Sequence, residues 1–181
     1  MKLATPLAEE YVRGLTIGDR VLLSGTIVTA RDAAHKYLFE GGKAPCSLNA
    51  IYHCGPIIRD GQVLSAGPTT SLREEPYQAK IIADHKVRAV IGKGGMGENT
   101  LKALKEHGCA YLSATGGAGA LIAKRIKSIK AVHMEEELGS PEAFWEFEVV
   151  DMPLVVTMDC QGGSLHERIL RISKDKLEKM L

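Results

Sequence analysis

Three cations and a short run of hydroxyls are the residues of this chain whose types and spacing could do chemistry. Arg31 stands in Thr29-Ala30-Arg31-Asp32, Arg73 closes Gly67-Pro68-Thr69-Thr70-Ser71-Leu72-Arg73, and Lys93 sits inside Gly92-Lys93-Gly94-Gly95-Met96-Gly97. An arginine offers a planar fork that grips a carboxylate through two hydrogen bonds, and a lysine adds a compact point charge. Glycines let backbone amides approach an anion, and a helix start presents free N–H groups to it. Together these groups suit a small anionic ligand. Arg31 and Arg73 each stand near the start of a predicted helix, where their charge opposes the helix dipole. Three consecutive hydroxyls, Thr69, Thr70 and Ser71, exceed what one helix cap uses. His35, four residues after Arg31, falls where it could line the same pocket.

The loop from Gly92 to Gly97 matches G-x-G-x-x-G literally and lies between a predicted strand and a predicted helix. A dinucleotide site also wants an acid ~20 residues further on, at the end of the next strand, for the ribose. That strand ends here in Ser113-Ala114-Thr115-Gly116-Gly117, with no acid. A dinucleotide-binding protein is therefore the alternative of a different class, disfavoured by its own motif. The Gly94 and Gly116-Gly117 backbones remain candidates for lining an anion pocket.

Residues 1–19 read as an arm that docks at an edge, with a short helix opening after Pro6. A strand over 20–28, a helix over 29–38, a strand over 50–54 and a hairpin over 57–65 turning at Asp60-Gly61 follow. This first half reads as largely β, with antiparallel or mixed pairing. The second half alternates: helix 74–85, strand 87–91, helix 98–107 stopped by Gly108, strand 109–113, helix 116–127, strand 128–134. Such alternation predicts parallel βαβ units, whose post-strand loops gather at one ligand-binding edge. Segments 146–150 and 154–159 read as separate extended pieces, and a polar helix runs from Ser164. The fold class is α/β, expected as a single domain over 1–181.

With 181 residues, 45% hydrophobic and 25% charged, the composition is that of a globular chain with a proper core. A formal charge of +1 gives no global field toward nucleic acid or an anionic membrane. One tryptophan, Trp145, and few other aromatics offer no base-stacking platform. Neither a membrane-length apolar run nor a signal-peptide core is present, so the cytoplasm is the expected compartment. Cys46, Cys54, Cys109 and Cys160 form no C-x-x-C pair, which predicts free buried thiols and no metal on this chain. Cys54, beside Gly55-Pro56, is expected to be the exposed one. His53, His85, His107, His133 and His166 share no spacing and read as ordinary residues.

The segments around Arg31, Gly67–Arg73 and Gly92–Met96, in this order and spacing, resemble the β subunit or C-terminal domain of class I, iron–sulfur-dependent fumarate hydratases and L-tartrate dehydratases. Thr115-Gly116-Gly117-Ala118-Gly119-Ala120-Leu121, Glu137-Leu138-Gly139 and Trp145 agree with it, so the resemblance covers nearly the whole chain. It implies a swivelling β/β/α domain and a partner α subunit whose three cysteines hold a [4Fe–4S] cluster with one open iron. It implies that Arg31, Arg73 and Lys93 hold substrate carboxylates, and that Thr69 stands beside the carbon that loses its proton. The implied protein is one subunit of a hetero-oligomer that interconverts (S)-malate and fumarate, or acts on L-tartrate. Two positions depart from the family's pattern: Glu74-Glu75, where Met-Asp is usual, and Cys54, where alanine or valine is common.

Overall fold

The computed structural model describes residues 1–180. Its first half contains β1 (Lys2–Ala4), α1 (Glu9–Arg13), β2 (Arg20–Thr29), α2 (Asp32–Phe39), β3 (Ala50–Tyr52), β4 (Ile57–Arg59) and β5 (Gln62–Ser65). A 3-10 turn, Ser71–Glu74, leads into α3 (Glu75–His85), β6 (Ala89–Gly92), α4 (Glu98–His107) and β7 (Ala110–Ser113). The chain continues as α5 (Gly119–Ala123), β8 (Ile126–His133), α6 (Glu135–Leu138), β9 (Phe144–Met158) and α7 (Leu165–Glu178). Seven strands form one mixed sheet in the order β1-β2-β3-β6-β7-β9-β8, and β4 and β5 form a separate hairpin. An additional β2–β9 pairing joins β2, β3, β6, β7 and β9 into a closed ring.

The strands alternate between two cores. Ile51, Val90 and Tyr111 face one cluster with Ile81, Ile82 and Leu104 from α3 and α4. Their successors Tyr52, Ile91 and Leu112 face the other, with Ile27, Phe147 and Met152. Burial on both faces accounts for the unbroken apolar runs of β6 and β7, since a strand covered on both sides has no polar face to show.

The architecture is mixed α/β, and several elements differ from expectation. β2 and β3 are parallel, with α2 crossing between them, so a βαβ unit already lies in the first half. β8 returns antiparallel to β9 and does not extend the parallel series. The helix expected over 116–127 shrinks to Gly119–Ala123, because the glycines ahead of it are poor helix formers. β9 runs unbroken for 15 residues through Pro153. That proline sits beside an irregularity, where β2 shifts register between Leu23 and Gly25 and Asp151 adopts a φ of 49°. Such irregularities are where a strand tolerates proline. Cys54 is fully buried, and Cys46 is the half-exposed thiol. A small side chain at Cys54 faces the core, which suits a position where the resemblance has alanine or valine.

The N-terminal arm does pair at an edge: β1 lies parallel to β2, and both polar atoms of the Asn49 side chain bond Leu7, Oδ1 accepting from its N–H and Nδ2 donating to its carbonyl. No helix among the described residues is long and apolar enough to cross a membrane. α7 differs from a purely solvated polar helix, because Ile169, Leu170, Ile172 and Leu177 all stand exposed on it.

Candidate active site

The parallel strands β2, β3, β6 and β7 end at one edge, and the segment Pro68–Ser71 is laid between two of them there. Pro68 forms a bridge with Cys54 just beyond β3, and Thr70 forms one with Lys93 just beyond β6. Thr69 N–H donates to the His53 carbonyl (2.7 Å) and Ser71 N–H to the Lys93 carbonyl (3.1 Å). The hydroxyl-bearing loop is thus a short strand wedged across the edge. Its register places Thr69 and Thr70 beside Lys93, and the 3-10 turn that follows carries Arg73 outward.

Arg31 N-caps α2 at the end of β2, and its neighbour Asp32 is ion-paired with Arg73. That contact ties the Arg73 guanidinium to the residue next to Arg31, across 41 residues of sequence. Arg31 lies over Gly55, where an added Cβ would stand 2.3 Å from Nη1. Its Nε is 3.3 Å from Glu142 Oε1 but lacks the alignment of a hydrogen bond. Glu142 also accepts from Ala33 N–H (3.0 Å), filling the role of a missing side-chain cap on α2. Lys93 has no carboxylate within ion-pair reach among the described residues, and its Cδ lies 3.4 Å from where a Gly116 Cβ would be. The structure therefore brings Arg31, Arg73, Thr69, Thr70, Lys93 and the Gly116 loop to one exposed edge. His35 is not on that surface; it is wholly buried beneath it.

The glycines of the G-x-G-x-x-G loop have reasons of their own. A Cβ on Gly92 would meet Ser71 Oγ at 1.9 Å, and one on Gly97 would meet Glu75 Oε1 at 2.7 Å. Gly94 and Gly95 hold φ values of 82° and 77°, where a side chain is strained. Close packing and turn geometry thus account for the pattern without a dinucleotide. Glu75 is the residue that sequence reasoning missed here. Its carboxylate accepts from the N–H groups of Gly97, Asn99 and Thr100 and from the Thr100 hydroxyl, capping α4 from a different helix. An acid 22 residues before the N-cap of the helix it caps leaves no local signal in the sequence.

Comparison with known proteins gives this edge its context. The family model described as Fumarase C-terminus matches residues 1–169. The chain belongs to the fumarase C-terminus family. It is 50% identical over 184 residues to a putative class I fumarate hydratase of Geobacillus stearothermophilus, covering 98% of this chain and 35% of that protein. It is 40% identical over 186 residues to a putative L(+)-tartrate dehydratase subunit beta of Methanocaldococcus jannaschii, covering 97% and 95% of the two chains. It is 37% identical over 171 residues to the L(+)-tartrate dehydratase subunit beta of Escherichia coli K12, covering 90% and 85%. The chain thus spans about a third of the Geobacillus relative and most of each β subunit.

Beneath the edge, this fumarase C-terminus chain holds a buried polar network that spacing did not reveal. His53 Nδ1 is 2.8 Å from Ser71 Oγ, and Tyr111 OH donates to the same oxygen at 2.8 Å. His35 and His53 meet edge to face with centroids 4.9 Å apart, and Gln78 stands against both rings. Burial holds both imidazoles below their ordinary pKa, so both are neutral. Ser71, which looks like a spare cap hydroxyl in sequence, is the link between this network and the Thr69–Arg73 loop.

Glu74 is also fully buried, its Oε2 3.8 Å from His35 Nδ1, and neither oxygen has a hydrogen-bond partner. Burial, reinforced by Asp32, pushes its carboxyl up to about 8. A neutral carboxylic acid is how glutamate stands where the family resemblance has methionine. Folded Glu74 holds its proton more tightly than the unfolded chain, whose ordinary value is 4.5. Its contribution is therefore fully present below pH 4.5 and is lost as pH rises through about 8. Glu74→Gln should flatten that decline, gaining on the order of 2 kcal/mol relative to the parent between pH 5 and 8. Urea unfolding at several pH values measures it; parallel stability profiles for the two proteins would refute a protonated Glu74.

Proposed function

We propose that this chain is the β subunit of a two-subunit hydro-lyase that interconverts (S)-malate and fumarate plus water. The observation that carries the reading is the wedge of Pro68–Ser71 between the ends of β3 and β6, which sets Thr69, Arg73 and Lys93 on one edge with Arg31 tied in through Asp32. In this reading Arg31, Arg73 and Lys93 hold the two substrate carboxylates, and Thr69 acts at the carbon that loses its proton. Proton removal next to a carboxylate builds further negative charge on it, and preorganised cations stabilise that charge as it develops. Asp32 keeps the Arg73 fork oriented until a substrate carboxylate takes its place. A free threonine hydroxyl is a weak base at neutral pH, so an activating group comes from the partner.

The [4Fe–4S] cluster of such enzymes is assigned to the partner α subunit. The cysteines here do not fit it: Cys54, Cys109 and Cys160 are buried in separate segments of the chain, and Cys46 lies in the loop between α2 and β3. Departure of the hydroxyl therefore belongs to the partner, and the exposed edge is half of an active site. The relatives named as β subunits, matched over most of their length, support a separate partner chain. L-tartrate is the second substrate, favoured by those same names, while the 50% identity to a fumarate hydratase favours malate.

The test is anaerobic co-expression with a cluster-bearing α chain and separate assays of malate and L-tartrate dehydration. Malate turnover that requires both chains is the expected result. Tartrate turnover with negligible malate turnover would move the assignment to the dehydratase, and malate turnover by this chain alone would overturn the two-subunit reading.

A further inference from the structure

A second group of ligand-type side chains plays no part in that edge. Cys46 comes from the loop between α2 and β3, His133 from the end of β8 and Glu146 from the start of β9. One donor atom from each lies within 4.8 Å of the others, and all three residues are half-buried. In the β8–β9 ladder Ala131 opposes Glu146 and His133 opposes Phe144, so His133 and Glu146 are diagonal neighbours. Their side chains touch, His133 Nε2 lying 2.7 Å from Glu146 Oε1.

A cross-strand histidine–glutamate pair is ordinary by itself. The third member is not explained by it, because a thiol adds little to such a pair. The three members also come from three separate elements, so a bound ion would cross-link them.

We propose that Cys46, His133 and Glu146 form a binding site for a transition-metal dication of the zinc class. Thiolate, imidazole and carboxylate are a soft-to-hard set that suits Zn2+ or Co2+ and is poor for Mg2+ or Ca2+. Thiolate and carboxylate together neutralise the dication, and the imidazole adds a neutral ligand. Tetrahedral bonds of ordinary length put such donor atoms about 3.4–3.6 Å apart. The present donor atoms, all within 4.8 Å of one another, lie close to that spacing. On binding, the Cys46 proton is released to solvent, and the His133 ring carries its remaining proton on Nδ1. The fourth position is left for water or another small donor. An ion here pins the loop ahead of β3 to the β8–β9 pair, independently of the reaction at the edge and of any iron–sulfur cluster.

The experiment uses the full chain, reduced and stripped of metal by chelation. Titration with Co2+ should saturate at a single equivalent and develop a near-ultraviolet thiolate-to-cobalt charge-transfer band that Zn2+ displaces. Cys46→Ser should abolish the band, and Glu146→Gln should weaken binding at least about tenfold, the minimum that loss of even an outer-shell partner costs. A readout that needs no variant is alkylation by iodoacetamide, located by peptide mass. The other three cysteines are buried, so Cys46 is the residue labelled, and saturating Zn2+ should protect it. Absence of the band, its survival in Cys46→Ser, or alkylation unchanged by zinc would each overturn the site.

Discussion

Arg73→Lys, assayed in the assembled two-chain enzyme, is expected to lower kcat/KM by about 10²–10³-fold, the scale set by loss of one preorganised charge-stabilising donor. Lysine keeps the charge but not the planar fork, so it cannot hold both oxygens of a carboxylate in fixed orientation. The change should cost little stability. The Arg73–Asp32 pair is nearly half exposed on both sides, and exposed pairs contribute about 0–1 kcal/mol. Kinetics and thermal unfolding therefore separate: a large kinetic loss with an almost unchanged Tm is the expected pair of results. Asp32→Asn is the companion. It frees the Arg73 fork without removing it, so its kinetic effect should be much smaller. Activity of Arg73→Lys within threefold of the parent would remove Arg73 from the carboxylate site.

How much of this edge could be read from the sequence depended on the kind of signal. Arg31, Arg73 and Lys93 announced themselves through local conflict: cations at predicted helix starts and a lysine in a glycine loop. The alternation of helix and strand correctly placed β6 and β7 side by side and parallel. Strand direction is not written in a hydrophobic run, however, so the antiparallel return of β8 and the ring closure by β9 could not be read from periodicity. The G-x-G-x-x-G match shows the opposite failure, a strong pattern whose outer glycines answer to Ser71 and Glu75 as steric neighbours and whose middle glycine answers to a positive φ. Long-range polar contacts left least trace of all. His35, His53 and Gln78 are far apart in the chain and share no spacing, yet they meet in the interior. Cys46, His133 and Glu146 are the same case at the surface.

The buried network yields the largest expected stability effect, and its protonation can be worked out from donors and acceptors. Gln78 Oε1 is 3.0 Å from His35 Nε2 and 2.8 Å from His53 Nε2, while the amide nitrogen of Gln78 has no partner. His35 Nδ1 is 2.9 Å from the Arg31 carbonyl, which can only accept. With the amide oxygen facing both rings, His35 must carry protons on both nitrogens, and a charged imidazolium would sit where burial disfavours it. A half-turn of the amide exchanges its two ends without moving the backbone. The NH2 group then donates to both Nε2 atoms, each ring keeps its proton on Nδ1, and the rings donate to the Arg31 carbonyl and to Ser71 Oγ. Every ring nitrogen then has a complementary partner with no buried charge, and only the end of the amide that already lacked a partner stays unpaired. Nitrogen NMR of the two rings should accordingly find neutral Nδ1–H tautomers at pH 7, and an imidazolium at His35 would refute the arrangement. Because both folded-state pKa values lie below the ordinary 6.5, the stability these rings contribute is present above that pH and is lost as pH falls. Gln78→Leu fills similar volume but leaves two buried ring nitrogens without a donor. It should cost about 2–6 kcal/mol, the sum for two buried unsatisfied groups, read as a fall in the urea midpoint at constant slope. A loss below 1 kcal/mol would mean that the rings find other partners and that the Thr69–Arg73 loop is held by its backbone bonds to His53 and Lys93 and not by the ring network.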